Sequence, residues 1–142
     1  RQTAAQPNRP GKRILMPLKH TRSFRVRFYE CDAYGHVNNS NYVRYMQEAA
    51  FDASDAAGYA DEEYNSLGLI WLIRDTEIEY LQPLRYGDTA EVTTWVDDFR
   101  RVRSRRAYEI RRQGEGEILA RGTTDWVLLS YRGRRLRRVL GL

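Results

Sequence analysis

The residue types best suited to chemistry fall in one short stretch, "ECDAYGHVNNSNY", residues 30–42. Asp32 offers a carboxylate that can take a proton or attack an electrophilic carbon. Six residues later, Asn38 and Asn39 stand where a periodic helical run begins. A helix N-terminus exposes unpaired N–H groups and the positive end of a dipole, which suits an oxygen becoming negative. The stretch therefore suggests an acid and the first helical amides facing one reacting atom. A loop aspartate also caps turns or pairs with arginine, and asparagines are ordinary helix caps, so pattern alone leaves both roles open.

The neighbours sort by their chemistry. His36 is tempting as a base, because histidine as a residue type can change charge near neutral pH, but it is read here as a hydrogen bonder that shapes the loop at the substrate site. Cys31 would need a partnered histidine and a depressed pKa to act as a nucleophile, so it is assigned to packing. Gly35 suits a positive-φ turn or a close approach of substrate. His20 lies ahead of the first strand and is assigned no role. Two histidines and one cysteine in the whole chain supply too few ligands for a metal, and no cofactor motif is present.

The elements that must hold these groups follow from periodicity. Residues 22–30 alternate, with Phe24, Val26 and Phe28 on one face, which predicts a half-buried strand. From Ser40, the residues Tyr42, Met46, Ala49, Ala50, Ala53 and Ala57 share one helical face; Asn38 or Asn39 caps its start and Gly58 suits its stop. A shorter helix is expected over 61–66. Beyond Leu69 the period becomes two, giving strands at 70–81, 88–99, 102–113 and 118–130, the first two joined by a "QPLRYG" turn. The tail from Tyr131 either frays or adds a short edge strand. Strand, long helix, then a four-strand antiparallel meander predicts an α+β fold, one alanine-faced helix packed into a curved five-stranded sheet. Its open edge invites a symmetric partner. Residues 1–18, with three of the four prolines, are expected to form a flexible leader, 19–138 the domain and 139–142 a tail.

Composition narrows the classes. A hydrophobic fraction of 42 %, ten tyrosines and three tryptophans in 142 residues fit one globular domain. No apolar run is long enough for a membrane span. The single cysteine suits a reducing, cytoplasmic setting; the arginine-rich, acid-poor start also fits an organelle transit peptide as a lesser reading. Net charge is +5, and basic residues cluster in residues 1–29, which hold eight Lys/Arg and no acid, and in residues 100–112 and 132–138. Such clusters suit phosphate-bearing partners or simply solvated surface. Nucleic-acid binding is the third reading and lacks both a recognition helix and aromatic residues placed for stacking.

Asp32-Ala33-Tyr34-Gly35-His36-Val37-Asn38-Asn39-Ser40-Asn41-Tyr42 resembles the D-x-x-G-H-V-N-N-x-x-Y signature of hotdog-fold acyl thioesterases. The nearest group is the 4-hydroxybenzoyl-CoA thioesterase-like branch, with acyl-ACP thioesterases as cousins. Residues 80–88, "YLQPLRYGD", look like that family's turn between its second and third strands, and the resemblance spans about residues 22–130. It implies a helix wrapped by a five-stranded sheet, homodimers or tetramers with sites at the subunit interface, and an acyl-CoA or acyl-ACP thioester as substrate. It also implies Asp32 as the catalytic general base or nucleophile and the Asn39 amide as oxyanion donor. Gly35, His36, Val37 and Asn38 line the substrate site by the same correspondence. Tyr42, Tyr45, Trp71 and Ile73 are candidates for an acyl pocket or plain core. Arg100, Arg101 and Arg103 are the first candidates for carrier phosphates, since each guanidinium can clamp an oxygen bidentately. A hotdog protein that binds thioesters without turnover, leaving Asp32 idle, is the second reading.

Overall fold

Residues 18–58, 61–132 and 135–138 are described by the computed structural model of the chain. The expected leader, except Leu18, and the expected tail lie outside them. The elements run β1 (His20–Arg25), a single 3₁₀ turn (Phe28–Glu30), α1 (Asn39–Ala56), α2 (Asp61–Ser66), β2 (Leu69–Tyr80), β3 (Thr89–Arg100), β4 (Arg103–Arg112), β5 (Ile118–Arg132) and β6 (Arg135–Arg138).

All strands pair antiparallel in one sheet, in the order β1-β3-β4-β5-β2, with β6 added on β5. The expected sheet of five is the main path, and the short sixth strand continues beside β5 past the start of β4, with Leu129 opposite Arg138. The expected four-strand meander is corrected. Only β3-β4-β5 meander, whereas β2 lies at the far edge against β5. Hence the "QPLRYG" segment is a crossing and not a hairpin turn. Its backbone donors show why: Leu81 and Gln82 both donate to the Leu119 carbonyl, at 2.8 and 3.0 Å. Leu84 N–H donates to the Tyr42 hydroxyl (3.0 Å), and the Leu84 carbonyl accepts from Val37 (2.8 Å). These partners come from β5 and the signature region, which a tight hairpin would not reach.

The first strand is also shorter than its alternation suggests. After Val26, which is buried and donates to the Asp88 carbonyl, the chain coils into the 3₁₀ turn, where Glu30 Oε1 accepts from Arg27 N–H at 2.7 Å. Phe28 is consequently exposed and packs edge-on against Tyr86. Local side-chain capping has won over strand continuation.

α1 lies across the sheet on Tyr42, Tyr45, Met46, Ala49 and Ala50, joined by buried Asn41. Ala53 is half-buried and Ala57 exposed, so the buried stripe ends sooner than expected and includes position 41 instead. Small residues let helix and sheet approach closely. A Cβ on Gly122 would come within 2.8 Å of Met46 Cε and 2.7 Å of the Glu77 carbonyl oxygen, so β5 needs glycine at that crossing. Phe24 stacks on Tyr45 at 5.0 Å, and Arg22 pairs with Glu48 (3.4 Å) and Asp52 (2.7 Å), tying β1 to the helix.

Candidate active site

The signature loop is a narrow turn between β1 and α1. Cys31 pairs with Val37 across it, Asp32 N–H donates to the His36 carbonyl (2.8 Å), and Gly35 N–H donates to the Asp32 carbonyl (3.1 Å). Gly35 has φ +76 with open space around it, so it serves the turn's backbone and not a steric need. Asp32 Oδ1 accepts from the Tyr34 N–H (2.9 Å) and the His36 N–H (3.1 Å). That is an Asx-type turn, and it holds the exposed carboxylate by one oxygen while Oδ2 has no partner among the described residues.

The helix mouth follows directly. Asn38 is the N-cap, its Oδ1 accepting from Ser40 N–H at 3.3 Å. Asn41 N–H donates to the Asn38 carbonyl at 2.9 Å. These bonds leave the Asn39 N–H without an acceptor among the described residues, at the positive end of an 18-residue helix. The Asn39 carbonyl accepts from the Tyr80 hydroxyl (3.2 Å), anchoring the mouth to β2.

The remaining expected site residues separate into groups. Val37 and Tyr42 are almost fully buried; Val37 bonds to Leu84 through its backbone, and the Tyr42 hydroxyl accepts from Leu84 N–H. His36 is half-buried and bridges to Arg85, and its imidazole makes no hydrogen bond among the described residues. Cys31 is held by burial and by the Asp32 and Glu30 carboxylates, all of which push its thiol up and away from the reactive thiolate. Trp71 and Ile73 stand elsewhere, at a half-open pocket of about 310 Å³ walled by Phe51, Tyr64 and Trp126. Edge-to-face pairs frame it: Phe51 with Trp126 at 6.1 Å and Tyr64 with Trp71 at 6.0 Å. Gln47 and Phe51 lie eight and twelve residues along α1 from Asn39, about 12 and 18 Å, on the same i, i+4 stripe.

Arg100, Arg101 and Arg103 form the β3–β4 hairpin, exposed, with Arg101 at φ +37 and Arg100 paired to Asp98 at 3.1 Å. Within one chain they are not brought to Asp32. The opposite end of β4 approaches the signature region: Arg112 reaches the Pro83 carbonyl and pairs with Asp88 at 3.0 Å. Nine residues of strand, about 30 Å, separate it from Arg103. The arginines exposed near the loop are Arg25 and Arg27, from the basic run of residues 1–29, and Arg44 and Arg85, which lie outside the arginine clusters of the sequence. Glu30, Asn41 and Tyr80, which hold the loop to the helix, were missed too. A polar asparagine inside an otherwise apolar helical stripe was the available signal for Asn41. Among the described residues no group of histidine, cysteine and carboxylates is arranged to hold a metal.

Comparison with known proteins agrees with this architecture. The family model for the acyl-ACP thioesterase N-terminal domain matches residues 17–141. Oleoyl-acyl carrier protein thioesterase 1 of Arabidopsis thaliana is 26 % identical over 143 residues, covering 96 % of this chain but 40 % of the plant protein. This chain thus spans well under half of that relative. A putative oleoyl thioesterase from Lactobacillus plantarum superposes with a TM-score of 0.79 at 25 % identity, over 87 % of this chain and 48 % of that one. The DHNA-CoA thioesterase of Staphylococcus aureus, at 24 % identity and TM-score 0.76, shares the fold over 84 % of this chain and 80 % of its own. With the family model matched over residues 17–141 and the hotdog neighbours superposing over most of the chain, the chain belongs to the acyl-ACP thioesterase N-terminal domain family, on the hotdog fold.

Proposed function

We propose that the protein hydrolyses an acyl-CoA or acyl-ACP thioester to free acid and thiol, with Asp32 and the Asn39 amide as the working groups. The observation that carries this reading is an acid held by one oxygen in the loop that leads into a helix mouth whose first N–H has no acceptor among the described residues. Asp32 Oδ2 takes a proton from water as the water oxygen attacks the thioester carbon. The developing oxyanion accepts from the Asn39 N–H, which is already oriented and needs no rearrangement. Collapse expels the thiolate, which recovers the proton from Asp32. The same oxygen serves if Asp32 attacks directly, forming a mixed anhydride that water then cleaves. Neither route needs a metal or cofactor.

Gly35, His36, Val37 and Asn38 shape the turn that presents the acid. The pocket at Trp71 receives the far end of the acyl group, guided by the α1 stripe from Asn39 through Val43 to Gln47 and Phe51. Tyr42 stiffens the floor between them. A second copy completes the site: β2 pairs only with β5 among the described strands, leaving a twelve-residue edge open to pairing, and Asp32 needs shielding from water that one chain does not give. In a dimer or tetramer, Arg100, Arg101 and Arg103 contact carrier phosphates from the neighbouring subunit, because their own loop is too distant. A cytoplasmic setting fits the lone reduced cysteine; among the described residues no helix is long and apolar enough to cross a membrane.

Release of free thiol from a panel of acyl-CoA and acyl-ACP thioesters, compared with Asp32→Asn, tests the reading. Turnover by the wild type that the variant loses supports it. Binding without turnover makes the protein a thioester-binding module, and equal rates retire Asp32. Retention on nucleic acid at physiological salt would favour the nucleic-acid reading.

A further inference from the structure

The arm that carries the acid and the helix that carries the Asn39 amide share one acceptor, the Glu30 carbonyl oxygen. It accepts from Asn38 N–H at 2.8 Å and from Asn41 Nδ2 at 2.9 Å, which uses both its lone pairs. Asn41 is 6 % exposed, a polar side chain among Tyr42, Tyr45, Ala49 and Ala50 on the buried face of α1. An amide so placed is costly unless bonded, so its one side-chain contact is strongly specified. Glu30 stands two residues before Asp32, and Asn41 two residues after Asn39. The side chain of Glu30 reinforces the joint: its Oε1 accepts from Arg27 N–H (2.7 Å) and from the Tyr45 hydroxyl (2.9 Å). Burial and that contact both push the Tyr45 phenol up, keeping it the donor.

We propose that Asn41 is a positioning residue for thioester hydrolysis: its bond to the Glu30 carbonyl sets the separation between Asp32 and the Asn39 amide. This rests on the thioesterase reading above. Without the Asn41 amide, the Glu30 carbonyl keeps only the Asn38 N–H. The arm's position relative to the helix then rests on that bond, the Tyr45 hydroxyl and the Cys31–Val37 bridge, none of which holds the carbonyl from the helix's buried face. Aspartate at 41 would set an acceptor against a carbonyl oxygen, and serine would fall short of it. Displacements near 1 Å between reacting groups cost on the order of 10²-fold in rate.

The test compares wild type, Asn41→Ala and Asn41→Asp with Val92→Ala, a fully buried residue of β3 outside the site, chosen as a control that lowers Tm without touching the loop. Each is assayed well below its Tm. Both Asn41 variants are expected to lower kcat about 30-fold or more with KM within about twofold, beyond any loss in Val92→Ala at a matched drop in Tm. Tyr45→Phe, which keeps the ring on Phe24 and removes the hydroxyl, is expected to lower kcat about threefold and serves if neither Asn41 variant folds. A kcat in the Asn41 variants that tracks Tm as it does in Val92→Ala overturns the proposal, as does an unchanged kcat in Tyr45→Phe where that variant must decide. Should Asp32→Asn hydrolyse as fast as wild type, the thioesterase site is wrong, and amide exchange at Asn38 then tests the joint by itself. Faster exchange in Asn41→Ala supports it, and an unchanged rate overturns it.

Discussion

The two ends of α1 are built from different physics. At its N-terminus the contacts are directional: the Asn38 cap, the paired bonds on the Glu30 carbonyl and the Tyr80 hydroxyl on Asn39 fix backbone atoms within hydrogen-bond distance. Toward its C-terminal half the contacts are apolar and broad, with Phe51, Trp126, Trp71 and Tyr64 meeting edge to face around an open pocket. Hydrogen bonds lose their value within tenths of an ångström, whereas aromatic packing tolerates shape changes. A site that must hold a reacting carbon needs the first kind, and one that must accept an acyl tail is served by the second.

Four experiments press on that contrast. Asp32→Asn, which keeps the shape and removes the proposed base or nucleophile, is expected to lower kcat/KM by about 100-fold or more, read by thiol release. A smaller loss would mean that the polar end does not carry the chemistry. Trp71→Ala is expected to raise KM about tenfold for long acyl groups and much less for acetyl, with kcat nearly retained. If short and long acyl groups suffer alike, the pocket is not the tail's site. Charge reversal at Arg100 and Arg101 together, set beside reversal at Arg85, separates a carrier bound across subunits from one bound within the chain. Reversal at the responsible site, the Arg100–Arg101 pair or Arg85, should raise KM about fivefold, an effect that fades with added salt. The smallest change is expected from Asn38→Gly, since glycine is itself an acceptable cap; melting should show a loss of only a few tenths of a kcal/mol.

Much of the local architecture was legible in the residues. The alternation of β2 to β5 and the spacing of Tyr42, Met46, Ala49 and Ala50 fixed those elements within a residue or two, because periodicity is a property of neighbours along the chain. The asparagine cap was legible for the same reason. Strand order was not, since "QPLRYG" carries the composition of a turn whether its flanking strands pair or part; that depended on partners in β5 and α1 some 40 residues away. Nor was the place of the arginines. Arg100 and Arg112 read as one basic cluster, yet they stand at opposite ends of the β3–β4 pair, one at the hairpin and one beside Asp88.

By itself the sequence determined which residues can do chemistry and what elements carry them, since side-chain identity and period are local. Only the tertiary structure decided that, among the described residues, Asp32 Oδ2 and the Asn39 N–H have no partner, and that Glu30 and Asn41 join the loop to the helix. Those facts depend on where every competing donor and acceptor goes, and that is settled by the whole set of long-range pairings.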